Sequence, residues 1–165
     1  MGETFTRSVS KILSANDVGH TGSHQAGIAV PRQPCMLDFF PTLKIETFNP
    51  RCTILFRELE DNDEWPLNFI YYNGKLHGRS TRNEYRLTGL TPYFRKHEAS
   101  SGDILQLNRS STGRFSISLL GSGQAKVEVS PLGQLPPLGT APEVYETIKL
   151  SGAWSALSRR RTSVR

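Results

Sequence analysis

Short apolar segments, each closed by a turn within a few residues, run through most of this chain. They carry β-branched and aromatic residues, and turn signals recur about every eight to twelve residues. The sequence shows neither the longer rhythm of alternating strands and helices nor an internal repeat. The pattern therefore predicts a mainly β domain with short helices, a barrel or sandwich of about seven strands.

The same pattern predicts the individual elements. We expect strands over residues 6–13, 27–30, 52–59, 67–72, 84–90, 103–107, 114–119 and 125–129, and short helices over 34–40 and 142–150. Asn73-Gly74 is the strongest hairpin-turn signal. Residues 130–142 change to Pro, Gly and Leu, which is typical of a linker, and the Arg-rich end 158–165 is expected to be mobile. We therefore divide the chain into a domain, 1–140, and a C-terminal helix or linker, 141–165.

Charge narrows the choice of partner. The 165 residues carry a net charge of +5, which favours a polyanion, nucleic acid before a membrane surface. No apolar run reaches the length of a membrane span, about 18 residues, so no membrane partner is expected. Cys35 and Cys52 are far apart in sequence, as in a reduced intracellular protein.

Two polar segments stand out from the strands: residues 14–27, the first arm, and residues 75–88, the second arm. Both are rich in Arg, Asn, Gln, Glu, Ser and Thr, the side chains that read base edges in DNA. Both also hold glycines, which allow the backbone to approach a ligand closely. Two such segments on one scaffold indicate two arms that grip the DNA major groove.

The first arm also contains residues typical of a metal site and of a catalytic triad, but each of these patterns is incomplete. His20 and His24 have the spacing of a metal pair near Asp17, but the glycines disfavour a helix and a third His or Cys ligand is missing nearby. Ser14 or Ser23 with His24 and Asp17 lacks the rigid turn of a catalytic triad. Phosphate-loop motifs are also missing. We therefore expect no catalytic residue, no metal and no cofactor.

Two other functions stay open at this point. A small Mg²⁺-dependent nuclease would use Glu146 and Lys149, which form an ExxK tetrad without an evident second acid. A barrel that binds single strands or RNA would need exposed aromatic rings, but the aromatic residues fall mostly in predicted strands.

Glu84 lies inside the basic run of the second arm and has two readings. It forms a surface salt bridge to Arg82 or Arg86, or it accepts a hydrogen bond from the amino group of a cytosine. The sequence favours neither reading.

Residues 13–31 (LSANDVGHTGSHQAGIAVP) and 71–86 (YYNGKLHGRSTRNEYR) resemble the two arms of the N-terminal effector domain of EcoRII-like type II restriction endonucleases. The resemblance implies a seven-stranded DNA-binding pseudobarrel, the fold of plant auxin-response transcription factors, that reads double-stranded DNA at CCWGG, where W is A or T. It also implies a monomer in the bacterial cytoplasm and a C-terminal nuclease domain that lies outside this chain.

The resemblance also suggests roles for single residues. Arg82 would donate to guanine and Glu84 would accept from cytosine, while Arg79 or Ser80 stands where the relatives have a Lys. The second arm is one residue longer near Arg79, Tyr85 replaces a basic residue, and Ala29 stands where an aromatic residue is expected. The full set of candidate DNA-binding residues is Lys11, Asn16, Asp17, Thr21, Ser23, His24, Gln25, Arg79, Ser80, Thr81, Arg82, Asn83, Glu84, Arg86 and Lys96.

Overall fold

The computed structural model describes residues 5–19, 27–122 and 145–159. It contains nine strands and two short helices within these ranges. The strands are β1 (Phe5–Ile12), β2 (Ile28–Val30), β3 (Arg51–Glu58), β4 (Glu64–Tyr72), β5 (Glu84–Thr88), β6 (Ile104–Ser110), β7 (Phe115–Leu120), β8 (Tyr145–Lys149) and β9 (Trp154–Arg159). The helices are α1 (Pro34–Leu37) and α2 (Thr91–Lys96), and a 3-10 turn, Ser151–Ala153, precedes β9.

All nine strands belong to one sheet, in the order β2-β5-β4-β3-β7-β6-β1-β9-β8. Each neighbouring pair is antiparallel except β3 and β7, which run parallel over three residues. The sheet curls around its own apolar face, so the predicted mainly β pseudobarrel is confirmed. Its nine strands exceed the expected seven because β8 and β9 were not foreseen as strands.

The core follows from the alternation of side chains along the strands. In β3 the buried positions are every second residue, and Phe56 is completely buried. The predicted helix over 34–40 is a single turn, α1, after which Phe39 and Phe40 turn into the core. Phe40 stacks on Phe69 of β4 with ring centres 4.3 Å apart. This aromatic packing closes one side of the curled sheet.

The helix predicted over 142–150 is wrong, because residues Tyr145–Lys149 form β8. β8 pairs with β9, and β9 pairs in turn with β1, where Ser8 faces Leu157 and Lys11 faces Trp154. This long-range pairing decides the conformation of a segment whose local pattern is ambiguous. The predicted strand 125–129, the linker 130–142 and the end 160–165 lie outside the described residues, and the boundary at 140 stays a prediction.

Trp154 of β9 connects two strands that lie near opposite ends of the sheet. Its side chain is 1% exposed, and its Nε1–H donates to the carbonyl of Ala29 in β2 at 2.9 Å. β2 is the first strand of the sheet and β9 is the last but one, so this hydrogen bond crosses the open side of the pseudobarrel. The β8–β9 hairpin therefore closes the fold as well as extending it.

Two smaller expectations concern cysteines and membranes. Cys35 and Cys52 are both free and half-buried, and burial raises the pKa of the Cys52 thiol. In the parts of the chain that the structure describes, no helix is long and apolar enough to cross a membrane.

We expect Trp154→Phe to lower the free energy of unfolding by about 1–3 kcal/mol, because the hydrogen bond to Ala29 is lost and the smaller ring fills the buried site of Trp154 less completely. Urea unfolding followed by circular dichroism measures the change. Ile148→Ala on β8 is the control, since Ile148 is 38% exposed and its loss should change stability by less than about 0.5 kcal/mol. Equal unfolding midpoints for Trp154→Phe and the wild type would contradict this closure.

Candidate nucleic-acid interface

The two arms join the sheet at opposite ends of β5. The first arm returns at Gly27 and continues into β2, whose Ile28 lies opposite Leu87 near the end of β5. The second arm leads directly into Glu84, the first residue of β5. β5 is about 13 Å long, close to the width of a DNA major groove. The arms therefore bracket a face of the size that one groove presents.

The first arm begins on a buried ion pair. Lys11 is 6% exposed, and its Nζ lies 2.7 Å from Oδ2 of Asp17. Ser14 N–H donates to the same oxygen at 2.8 Å, and Ser14 Oγ accepts from the N–H of Asp17 at 3.2 Å. Burial alone would raise the pKa of Asp17, but the hydrogen bonds from Lys11 and Ser14 outweigh it and lower that pKa. These contacts fix the start of the arm to the sheet.

Most of the predicted readers of the first arm lie outside the described residues. These are Thr21, Ser23, His24 and Gln25, together with His20 of the considered metal pair. Asn16 lies in the turn before them, and its carbonyl accepts a hydrogen bond from Gly19 N–H at 3.2 Å. The roles predicted for this arm therefore stay predictions, and the DNA contact of Lys11 would require its ammonium to leave Asp17.

The structure limits the second arm to a compact set of turns between β4 and β5, residues 73–83, because residues 84–88 of the predicted arm form β5. Asn73 and Gly74 therefore start an eleven-residue connection rather than a two-residue hairpin. Lys75 N–H donates to the carbonyl of Arg82 at 3.0 Å, which closes the base of the arm. At Gly74 a Cβ atom would lie 2.0 Å from Oγ of Ser80, so the close folding of the arm requires glycine there.

Arg82 and Glu84 form a pair on the exposed side of this arm. The Arg82 guanidinium lies 3.7 Å from the centre of the Tyr72 ring, and its NH2 donates to Glu84 Oε1 at 2.7 Å. The other carboxylate oxygen of Glu84 accepts from Arg86 at 3.3 Å. The hydrogen bond from Arg82 is the main cause that lowers the pKa of Glu84. The salt-bridge reading of Glu84 is thus present in the unbound protein, while both side chains stay partly exposed, 49% and 38%.

Arg86 links the ends of the two arms. Its side chain is mostly buried, and its NH2 donates to the carbonyl of Gly27 at 3.0 Å. Gly27 has a φ of +75°, and a Cβ atom there would lie 2.1 Å from the carbonyl oxygen of Leu87. The glycine thus lets the first arm return against β5, within reach of Arg86.

The remaining predicted readers of the second arm differ in exposure. Arg79, Ser80 and Thr81 are exposed, and Ser80 Oγ accepts from Arg82 N–H at 3.3 Å. Asn83 accepts from the hydroxyl of Tyr71 at 2.6 Å. Asn83 therefore anchors the end of the arm to β4, and its predicted contact with DNA stays a prediction.

Lys96, predicted to contact phosphate, lies among three carboxylates. Its Nζ is 2.7 Å from Asp63 and 3.3 Å from the buried Glu58, and it also pairs with Asp61. The hydrogen bond that Lys96 donates to Asp61 is the first of the contacts that raise the pKa of Lys96. The three carboxylates lie close enough together for a metal site, but the ammonium group lies among them. Binding of phosphate by Lys96 would require it to leave them.

The residues of the considered nuclease site do not share a face. Glu146 and Lys149 are three residues apart on β8, and side chains at odd spacing on a strand point to opposite sides of the sheet. The helical spacing that would have brought them together is absent, since the segment is a strand.

Sequence reasoning missed several residues that position the arms. Phe48, from the loop before β3, lies under Arg79, and Asn73 is completely buried beneath the second arm. Arg32 donates to the carbonyl of Asn83 at 2.5 Å. Their contacts join residues 24 to 51 positions apart in the chain, and no local pattern signals them.

One family model matches most of this chain, and solved structures of other proteins are similar to it. A family model described as "Restriction endonuclease EcoRII, N-terminal" matches residues 4–114. The comparison with curated proteins gives no match. Among solved structures, the Arabidopsis FUS3–DNA complex is 17% identical, with 68% of this chain and 95% of that chain covered and a TM-score of 0.53. The UbaLAI restriction endonuclease B3 domain with cognate DNA is 22% identical, with 74% of each chain covered and a TM-score of 0.44.

We expect Asp17→Ala to lower the free energy of unfolding by about 3–5 kcal/mol, because it leaves the ammonium of Lys11 buried without a carboxylate. The double variant Lys11→Met with Asp17→Ala should recover much of this loss, since it removes the buried charge as well. Urea unfolding of both variants measures it. Equal losses in the two variants would show that the charge of Lys11 is not the cause.

The same pair predicts a dependence of stability on pH. Because the folded protein lowers the pKa of Asp17, the ionised carboxylate stabilises the fold above its ordinary pKa, about 3.9, and this contribution is lost as the pH falls further. The difference in unfolding free energy between wild type and Asp17→Asn should therefore be constant near neutral pH and shrink below about pH 4. Urea titrations from pH 7 to pH 3 measure it, and a difference that grows on acidification would contradict this sign.

Proposed function

Because the chain belongs to the EcoRII N-terminal family of restriction endonucleases, we propose that it binds double-stranded DNA sequence-specifically and reads a CCWGG-like site. The observation that carries the proposal is the placement of two polar arms at the two ends of β5. Each arm contains residue types that recognise base edges, and the two points where the arms join the sheet are about as far apart as a major groove is wide. The domain is the recognition or effector part of such an enzyme.

Arg82 and Glu84 suit a C·G base pair. In the major groove, guanine presents the acceptors O6 and N7, and its partner cytosine presents an amino group beside them. The fork of Arg82 supplies donors, and the carboxylate of Glu84 next to it supplies an acceptor. We assign Arg82 to guanine and Glu84 to cytosine.

The other assignments extend this scheme to the rest of the site. The first arm reads the second half-site through Asn16, Thr21, Ser23, His24 and Gln25, with Asp17 holding its base. In the second arm, the further candidates for DNA contacts are Arg79, Ser80, Thr81 and Asn83. The candidates for contacts with phosphate are Lys11, Arg86 and Lys96.

Two unlike arms on one chain cover both halves of the site, so the domain acts as a monomer. Cleavage belongs to a C-terminal nuclease domain of the parent enzyme, in the bacterial cytoplasm.

A gel-shift titration of the 165-residue chain tests the proposal. One duplex contains a single CCWGG site, and its control has one C·G pair of that site exchanged. At least tenfold tighter binding to the intact site, about 1.4 kcal/mol, is the expected result. Equal binding to both duplexes would contradict the assigned target, and absent binding would contradict the DNA function. Tighter binding to the corresponding single strand would point to a single-strand binding barrel instead.

We expect Arg82→Ala to lower the discrimination at one C·G pair by about 1–3 kcal/mol while non-specific binding changes little, since a bidentate contact to guanine is lost. Fluorescence anisotropy with the intact and exchanged duplexes measures it. Arg57→Ala is the matched control, because Arg57 is an exposed arginine of β3 that pairs with Glu64 away from the second arm. If both variants weaken specific and non-specific binding equally, Arg82 does not read a base.

A further inference from the structure

The second arm contains two arginines whose guanidinium groups each lie against an aromatic ring from outside the arm. Arg82 lies 3.7 Å from the centre of the Tyr72 ring, and Arg79 lies 4.5 Å from the centre of the Phe48 ring. Tyr72 is the last residue of β4, whereas Phe48 belongs to the loop between α1 and β3. The proposed function assigns Arg82 to a guanine, but it assigns no particular base or phosphate to Arg79.

Ser80, which follows Arg79, takes part in a hydrogen bond within the arm. Its Oγ accepts from Arg82 N–H at 3.3 Å, and it lies against Gly74, which has no side chain. The N–H of Arg79 donates to the carbonyl of Gly74 at 2.9 Å, while its side chain is exposed. Both residues are exposed, but the Ser80 hydroxyl is engaged within the arm, whereas the guanidinium of Arg79 extends from it against Phe48.

The loop that carries Phe48 is fixed to the base of the arm by Asn73. The amide of Asn73 donates to the carbonyls of Ile45 and Thr47 at 3.1 and 2.8 Å, and its oxygen accepts from Asn49 N–H at 2.8 Å. Asn49 Oδ1 accepts from the backbone N–H of Asn73 at 3.2 Å. Because Asn73 is completely buried, residues 45–49 and the base of the arm form one unit.

Phe48 holds Arg79 in a way that suits base recognition. Its ring is 39% exposed and packs edge to face with His77, with ring centres 5.8 Å apart. A stacked guanidinium covers one face on the ring and keeps its N–H donors free along the edge, where they can contact two acceptors at once. Holding the side chain in place before binding also reduces the entropy lost when DNA is bound. Tyr72 provides the same support for Arg82.

We propose that Arg79 is a second base-reading arginine of this arm, directed at a guanine in the major groove, and that Phe48 is its positioning residue. Phe48 is then the residue through which the loop of residues 45–49 supports recognition by the second arm, and Ile45 of that loop has no part in it. The inference rests on the proposed function, because it requires that the chain reads double-stranded DNA.

Selection from a random duplex pool tests this inference without assuming the target sequence. The 165-residue chain and four variants are each used for selection, and anisotropy then gives their affinities for the best sequence and its single base-pair changes. Arg79→Lys keeps the positive charge but loses the paired N–H donors of the guanidinium group. Phe48→Ala removes the aromatic ring, whereas Phe48→Tyr keeps one. Ile45→Ala is the matched control, since Ile45 is a 48% exposed apolar side chain of the same loop.

Arg79→Lys should lower the preference at one base pair by about fivefold or more and leave the other positions unchanged. Phe48→Ala should lower the preference at that same base pair, whereas Phe48→Tyr and Ile45→Ala should keep the wild-type profile. Thermal unfolding of each variant checks that the fold is intact.

Three results would overturn the inference. Arg79→Lys could keep the wild-type profile, or Phe48→Ala could behave like Ile45→Ala. An Arg79→Ala variant that weakens every sequence alike would make Arg79 a phosphate contact and also refute it. A wild-type chain that selects no sequence refutes the proposed function itself, whereas a selective wild type with an unchanged Arg79→Lys profile refutes this inference alone.

Discussion

The interface depends on the position of Arg86 in β5, because its guanidinium contacts the end of each arm. It donates to the carbonyl of Gly27, where the first arm returns, and to the carboxylate of Glu84, where the second arm ends. Since Arg86 is mostly buried, moving either arm end would remove one of the groups that compensate its charge. The arms are therefore placed relative to each other by a group that is itself held by the sheet. The hydrogen bond from Trp154 to Ala29 supports the same strand, β2, from its other side.

Carboxylates hold several of the basic side chains in the unbound protein. Glu84 pairs with Arg82, Asp17 with Lys11, and the group around Glu58 with Lys96. The count of 20 Lys and Arg side chains thus overstates the number of cations that are free to meet phosphates. A base or phosphate must replace a carboxylate at these positions, and the exchange is favourable only where the new partner has the right geometry. Such an arrangement gives specificity in preference to raw affinity.

The sequence predicts what is local and misses what is long-range. The alternation of apolar and polar residues predicts the strands in the middle of the chain. The cluster of side chains that can read bases predicts the second arm. β9 escapes prediction because its pairing with β1 joins residues nearly 150 positions apart in the chain, and β8 escapes it because β8 in turn pairs with β9. Lys11 looks like a surface cation in sequence, but the alternation of β1 turns it inward, toward Asp17. Asn73 is read as half of a tight turn, whereas its amide is used to hold a loop that no local pattern connects with it.

The aromatic rings near the second arm also bear on the kind of nucleic acid that is recognised. A single-strand binding surface needs ring faces that are open for bases to stack on. At Tyr72 and Phe48 a guanidinium group already lies over the ring. Tyr71 and Tyr85 stack on each other at 4.2 Å and belong to the packed part of the sheet. The exposed groups beyond these rings are the edges of arginines, which match the acceptors of paired bases in a groove better than the faces of unpaired ones. The support of the arginines by aromatic rings therefore favours double-stranded DNA over a single strand.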